Sequence, residues 1–191
     1  RSFTMTNAAR LDTPGAVQPF QITWGRWADG FTLPSTEFTG GLHFANSSEM
    51  TTGAQLQQIQ LSRQAEYQLI GGPRPTNEFG AAGALDRLNV SVDFATQRVT
   101  NYAVELTMPA TVSGAADSQW QASGAGSIAA FMRQGIELNV NCVSCRSPGQ
   151  TAAGAGSAKG AFVGPNAEAL LSAFGLQVNG HTVSGVAASQ R

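Results

Sequence analysis

Charge is scarce in this chain of 191 residues. Only 12% of the residues are Asp, Glu, Lys or Arg, about half of the usual share of roughly 25%. The formal net charge is −1 and the 11 basic residues are scattered along the chain, so nucleic acid is not expected as a partner. Solubility must then come from Ser, Thr, Asn and Gln, a composition that favours a secreted or envelope protein.

Long apolar runs are also lacking. Pro, Gly or polar residues interrupt every uncharged stretch before the roughly 18 apolar residues that a membrane-spanning helix needs. Arg1 comes with neither an initiator Met nor an apolar leader, which indicates a mature protein or an excised piece of a longer one. The length suits one domain. We therefore expect an N-terminal extension or linker at residues 1–19 and one domain at residues 20–191.

Helical periodicity is scarce, whereas short runs with a period of two are frequent between the 22 glycines and eight prolines. In residues 85–94 the alternation predicts one buried face, made of Leu88, Val90, Val92 and Phe94. In residues 98–108 the predicted buried face consists of Thr100, Tyr102, Val104, Leu106 and Met108. The two runs, joined by Ala95-Thr96-Gln97, predict a hairpin.

Further strands are predicted at residues 20–27, 37–44, 65–70, 119–129, 136–143, 157–163, 174–178 and 182–188. Asn179-Gly180 predicts a tight turn before the last of them. Residues 46–63 are compatible with a loop, a weak helix or an irregular strand, and residues 166–173 predict a short helix that Pro165 would begin. The pattern favours an all-β fold, a single antiparallel up-and-down β-barrel of about eight main strands with one short helix before the last strands; a β-sandwich is the alternative.

Cys142 and Cys145 form a C-x-x-C motif. A redox motif would precede a helix, whereas Arg146, Ser147 and Pro148 predict a turn. Structural zinc needs about four ligands, and the chain has only two cysteines and two distant histidines. We therefore favour a local disulfide or a structural thiol pair over redox or metal chemistry.

No residue pattern predicts catalysis or a cofactor. His43 and His181 have no nucleophile or carboxylate near them in sequence, and no Gly-x-Ser-x-Gly elbow is present. The carboxylates form no recognisable pair, and Gly124-Ala125-Gly126 lacks the third glycine of a dinucleotide-binding loop. We expect a protein that is not an enzyme, with no catalytic residues, no metal and no cofactor.

Trp24 and Trp27 are the candidate contact aromatics. They lie three residues apart in a predicted strand, so they should point to opposite faces. One ring would enter the core, and the other would lie at the surface. The surface ring would either stack on a sugar or a protein partner, or pack against the protein with its indole nitrogen hydrogen-bonded.

A resemblance to a known family enters at the C-terminal part. Residues 160–168, Gly-Ala-Phe-Val-Gly-Pro-Asn-Ala-Glu, resemble the G-x-F-x-G-P-x-A-E element before the final strands of the transferrin-binding-protein-like β-barrel. The resemblance implies a structural corner: Gly160 and Gly164 permit the bend, Phe162 fills the barrel, and Pro165 begins the short helix. Residues 24–27, 67–69 and 80–85 are in addition similar to the C-terminal region of bacterial envelope proteins that carry a FecR domain.

These resemblances imply a periplasmic or outer-membrane surface location in a Gram-negative bacterium. The implied function is protein recognition or signal sensing within a FecR-associated or surface-lipoprotein-like protein, with another envelope protein as partner. The alternative is a lipocalin-like carrier of a small apolar ligand or haem, which requires a wide pocket reaching the barrel mouth. An enzyme would need His43 or His181 within hydrogen-bond reach of a Ser, Cys or carboxylate in a cleft. A membrane-spanning barrel is disfavoured by 8% aromatics without paired girdles.

Overall fold

A computed structural model describes residues 4–5, 10–28, 31–33, 36–37, 41–59, 64–110, 116–145 and 147–191. In chain order the elements are β1 (Thr4–Met5), β2 (Arg10–Val17), β3 (Ile22–Ala28), β4 (Phe31–Leu33), β5 (Thr36–Glu37), β6 (Leu42–Asn46), α1 (Gly53–Ile59), β7 (Gln64–Gly71), β8 (Thr76–Asn77), β9 (Ala84–Asp93), β10 (Arg98–Met108), β11 (Ser118–Ser127), α2 (Ile128–Arg133), β12 (Ile136–Val143), β13 (Thr151–Val163), β14 (Ala169–Val178) and β15 (His181–Gln190). None of the helices within the described ranges has the length and hydrophobicity to cross a bilayer.

Eight antiparallel strands form a closed barrel. They follow one another around the wall in the order β7, β9, β10, β11, β12, β13, β14 and β15. β15 pairs with both β14 and β7, which closes the sheet. The short strand β8 pairs with β15 beyond the end of β7. The predicted all-β class and the eight-stranded antiparallel barrel are confirmed.

The β9–β10 hairpin shows how alternation fills the barrel. The predicted inward face of β9 is buried, as Leu88, Val90 and Val92 are at most 1% exposed. In β10 the prediction failed at one point: Thr100 is exposed and Val99 is buried. The pairing with β9 shifts between Val99 and Asn101, so a β-bulge inserts one extra residue and reverses the alternation there.

Large side chains occupy the interior of the barrel. The largest fully buried ones are aromatic, namely Tyr67, Tyr102, Phe94, Phe131 and Phe162. The Phe162 ring lies 5.9 Å from the Tyr67 ring and 5.5 Å from the Phe94 ring, measured between centroids. The buried hydroxyls are satisfied: Tyr67 donates to the carbonyl oxygen of Ala167, and the Tyr102 hydroxyl lies 3.2 Å from Ser172 Oγ. The centre of the barrel is therefore a packed core.

Two short helices close one end of the barrel. Leu56 and Ile59 of α1 and Ile128 and Phe131 of α2 belong to the main core cluster. Helix α2 begins after Ser127, whose hydroxyl oxygen accepts a hydrogen bond from the amide of Ala130. We call the barrel end that the two helices cover the closed end. Residues 46–63 thus contain a short helix; residues 60–63 lie outside the described part.

The short helix before the last strands lies at Ile128–Arg133, whereas the placement predicted at residues 166–173 is wrong. That segment forms a turn followed by the start of β14. Leu170 faces the main core, while Ala169 and Leu171 belong to a second cluster outside the barrel. A strand buried on both faces has a continuous apolar sequence, which periodicity cannot distinguish from a buried helix.

The second cluster lies beneath a three-stranded sheet of β2, β3 and β6. This sheet packs through Ile22 and Trp24 against the outer face of the barrel, next to Val163, Leu171 and Ala188. The strand predicted at residues 20–27 falls in this sheet as β3. Of the strand predicted at residues 37–44, residues 42–44 lie in β6, Glu37 ends β5, which pairs with β4, and residues 38–40 lie outside the described part. The predicted domain boundary at residue 20 stays a prediction.

Candidate recognition site at the open end of the barrel

The end opposite the two helices carries a pocket, which we call the mouth pocket. It lies between β8 and its turn, the end of β10, the start of β11, the loop that follows β12 and the start of β15. Its volume is about 240 Å³. The floor consists of Met108, Trp120 and Val183, each 2% exposed, from three different strands. Trp120 Nε1 donates to Ser118 Oγ at 3.1 Å, so its polar atom is satisfied and the floor is apolar.

A carboxylate and an imidazole flank the mouth pocket. His181 Nδ1 lies 2.8 Å from Glu78 Oε1, and the Thr182 amide donates to Glu78 Oε2 at 2.9 Å. Burial acts to raise the pKa of Glu78, but hydrogen bonds from the backbone amides of Thr182 and Glu78 and from the His181 ring outweigh it, and the pKa lies below its usual value. Glu78 is therefore ionised at neutral pH.

The pair of His181 and Glu78 meets the geometric condition set above for an enzyme, since a histidine contacts a carboxylate inside a cleft. A triad would also need a hydroxyl on the second ring nitrogen. Among the described residues no hydroxyl is hydrogen-bonded to His181. Ser118 Oγ accepts from Trp120, and Ser144 Oγ accepts from the amide of Gly149. The expectation that the protein is not an enzyme stays a prediction.

Cys142 and Cys145 are joined by a disulfide at the rim of the mouth pocket, with their Cα atoms 5.8 Å apart. Cys142 faces the barrel interior, is fully buried, and pairs in register with Trp120. Cys145 is half-buried and lines the pocket. We call the described residues that follow β12, namely Ser144, Cys145 and 147–150, the mouth strap.

Beside the pocket, a short turn presents an exposed aromatic ring. Phe79 is 65% exposed. Its turn is held by Asn77, whose side-chain oxygen accepts from the amides of Phe79 and Ala81 at 3.0 and 2.9 Å. Asn77 itself is buried and pairs with Val183 of the barrel wall. The ring is thus displayed on a rigid support next to a pocket of side-chain size.

Trp24 and Trp27 point to opposite faces of β3. The Trp24 ring lies against Gly71 of the barrel and is 9% exposed, so it is part of the contact between the small sheet and the barrel. Trp27 is half-buried on the other face, with its ring centroid 6.4 Å from that of Phe44. Leu11, its partner in register, is 41% exposed. Trp27 therefore belongs to a small apolar patch on the side away from the barrel.

A buried polar group shares the inner face of β3. Arg26 is 6% exposed and forms an ion pair with Asp12. His43 Nε2 donates to the carbonyl oxygen of Arg74 at 3.1 Å. Burial lowers the pKa of His43; the hydrogen bond to the Arg74 carbonyl opposes this, and the positive charge of Arg26 adds to it. His43 is a neutral, structural histidine that links the small sheet to the barrel.

The residues of the implied corner lie at the closed end, away from the mouth pocket. Phe162 is fully buried inside the barrel. Gly164 has a φ of +85° and, with exposed Pro165, forms the turn between β13 and β14. Pro165 begins no helix, because β14 follows the turn. Gly160 lies within β13 rather than in the turn, with the Phe131 ring of α2 packed against it.

The described residues nowhere bring three or more His, Cys, Asp or Glu side chains together as metal ligands. A shallow depression of about 450 Å³ surrounds Gly175, on the outer face of β13, β14 and β15. Sequence reasoning missed Glu78, Phe79 and Trp120 as site residues. The sequence around Phe79 does contain a signal: Asn77 and Gly80 are turn residues, and a turn that connects two strands lies at the surface.

No protein-family model matches the chain. No curated protein matches it at a significant level. A solved structure that matches is isotype 1 transferrin binding protein B from serogroup B Neisseria meningitidis, with 14% identity and a TM-score of 0.48. The match covers 100% of this chain and 34% of that chain, so this chain spans about a third of that chain's length. A transferrin-binding protein is thus a structural neighbour, and this likeness says nothing about function; the link to FecR-domain proteins stays a prediction.

Proposed function

We propose that this barrel is a non-catalytic recognition module of a Gram-negative envelope protein, and that it binds another envelope protein through its open end. The setting, FecR-associated or surface-lipoprotein-like, rests on the sequence resemblance and on the low charge of the chain. The site rests on one observation of the structure: the barrel interior is full, and the open end displays an exposed aromatic ring beside a small pocket.

Volume argues against carriage of a ligand inside the barrel. Pockets for drug-sized ligands measure roughly 300 to 1,000 Å³, whereas the mouth pocket measures about 240 Å³. The aromatic rings that occupy the interior, among them Phe94 and Phe162, leave haem no room without repacking the core. A pocket of this size suits one anchoring side chain of a partner.

Phe79 is the residue that supports protein binding most directly. Interface hot spots are enriched in aromatic side chains that are held rigidly and become desolvated on binding. Phe79 is 65% exposed on a turn fixed by the buried Asn77 side chain, so little ordering is needed when a partner covers it. The expected interface centres on Phe79 and includes the mouth pocket.

The test is capture from Gram-negative envelope extract with immobilised protein, followed by an affinity measurement on the captured protein. Phe79→Ser should weaken binding by roughly thirtyfold or more, the effect of losing one hot spot. Met50→Ser is the matched control, since Met50 is 44% exposed and lies next to Val163 near the closed end. Equal affinity of both variants, or a bound lipid or haem in native mass spectra with no protein captured, would contradict the proposal.

A further inference from the structure

The mouth strap begins in a conformation that its sequence does not favour. Ser144 has a φ of +67°, in the left-handed region that costs a residue with a side chain. Two hydrogen bonds hold it there: its amide donates to the Gln150 carbonyl at 2.9 Å, and its hydroxyl oxygen accepts from the Gly149 amide at 3.0 Å. The disulfide between Cys142 and Cys145 closes a short loop that contains Ser144.

The two sulfurs of this disulfide differ in accessibility. Cys142 is fully buried and belongs to the main core cluster. Cys145 lines the mouth pocket and is half-buried. A thiol that approaches from solvent therefore meets the sulfur of Cys145 first.

We propose that the disulfide is a redox-controlled clasp on the mouth strap, and that its reduction releases the strap and uncovers the floor of the mouth pocket. Three observations support this. The strap lines the pocket through Ser144 and Cys145, the floor residue Trp120 lies opposite Cys142 in register, and the left-handed Ser144 favours opening once the clasp is gone. As a regulation of partner binding, this inference rests on the proposed function of the open end.

The reductant is a dithiol. Its thiolate attacks Cys145 Sγ, the disulfide bond breaks, and its electron pair goes to Cys142 Sγ, which takes up a proton. The second thiol of the reagent then attacks the reagent sulfur of the mixed disulfide and releases Cys145 as a thiol. The protein gains two thiols, and the dithiol becomes a cyclic disulfide.

Hydrogen–deuterium exchange with mass spectrometry, on the protein with and without dithiothreitol, tests the clasp. Reduction should speed exchange in the peptide that covers residues 144–150 by roughly ten- to thirtyfold, the factor that corresponds to the chain entropy restored when a loop of about four residues loses its disulfide. The Asn179-Gly180 turn lies at the same end and contains no sulfur, so its exchange should not change. The double variant Cys142→Ser/Cys145→Ser, without reductant, should reproduce the faster exchange.

Unchanged exchange in the strap after verified reduction would overturn the proposal, because the hydrogen bonds would then suffice to hold it. Faster exchange in all barrel strands would overturn it as well, since the disulfide would then be a general brace. In single variants, the thiol of Cys145 in Cys142→Ser should react with Ellman's reagent faster than that of Cys142 in Cys145→Ser. These readouts use the protein alone, so a failed capture experiment would not affect them.

Discussion

Gly160 and Gly175 lie on neighbouring strands of the barrel, and the same change to alanine should affect stability in opposite directions. A Cβ atom at Gly160 would lie 2.4 Å from a carbon of the Phe131 ring and 2.6 Å from the carbonyl oxygen of Leu171. A Cβ atom at Gly175 would meet nothing within 4 Å. Neither glycine has a positive φ, so the comparison isolates space from backbone strain.

The magnitudes follow from these surroundings. Forcing one extra carbon into the packed contact at Gly160 should cost about 1 to 3 kcal/mol. Gly175→Ala should stabilise the protein by about 0.4 to 1 kcal/mol, because alanine restricts the unfolded chain and fits the folded one. For a chain of this size 1 kcal/mol shifts the Tm by roughly 2 to 4 °C. Gly160→Ala should therefore lower the Tm by roughly 2 to 12 °C, and Gly175→Ala should raise it slightly.

The assay is thermal and urea unfolding of both variants and the wild type, followed by far-UV circular dichroism and tryptophan fluorescence. Phe131→Leu should cost less stability in the Gly160→Ala protein than in the wild type, because the shorter side chain makes room for the new methyl group. If Gly160→Ala proves as stable as Gly175→Ala, the contact between α2 and β13 that closes this end of the barrel is wrong.

Two further predictions concern the histidines. Burial holds the pKa of His43 below the unfolded value of about 6.5, so the stability that His43 contributes is complete above that pH and is lost as the pH falls below it. The urea midpoint of the wild type should therefore drop between pH 7.5 and 5.5, and His43→Gln should reduce that drop. Parallel pH profiles of the two proteins would contradict the assignment. For a non-catalytic open end, the wild type should release p-nitrophenol from p-nitrophenyl acetate no faster than His181→Ala; a clear excess in the wild type would assign the His181–Glu78 pair a catalytic role.

The strand pattern was predictable wherever one face of a strand is buried and the other is exposed to water. Val90 and Val92 alternate with polar residues because one side of β9 faces the core and the other faces water. The phase error at Thr100 arose because a β-bulge depends on the pairing of two strands, which one strand's sequence does not contain. Leu170 and Leu171 were predicted to be helical since both faces of β14 are covered there, and the alternation disappears.

The candidate site was much less predictable than the fold. The pairing of Cys142 with Cys145 is local, and three positions separate the cysteines. The hydrogen bond between Glu78 and His181 joins residues 103 positions apart, and neither residue has a sequence neighbour that suggests the other. Trp120 was overlooked because its place at the pocket floor depends on where three strands end.

Local sequence determined the all-β class, the tight turn at Asn179-Gly180 and the inward face of most strands, since these depend on the period of side chains along one strand and on turn residues that accept positive φ. Tertiary structure alone decided the closure of the barrel between β7 and β15, the position of the small sheet outside the barrel, and the mouth pocket. Each of these depends on contacts between segments far apart in the chain, where shape and burial select the partner and no local pattern records it.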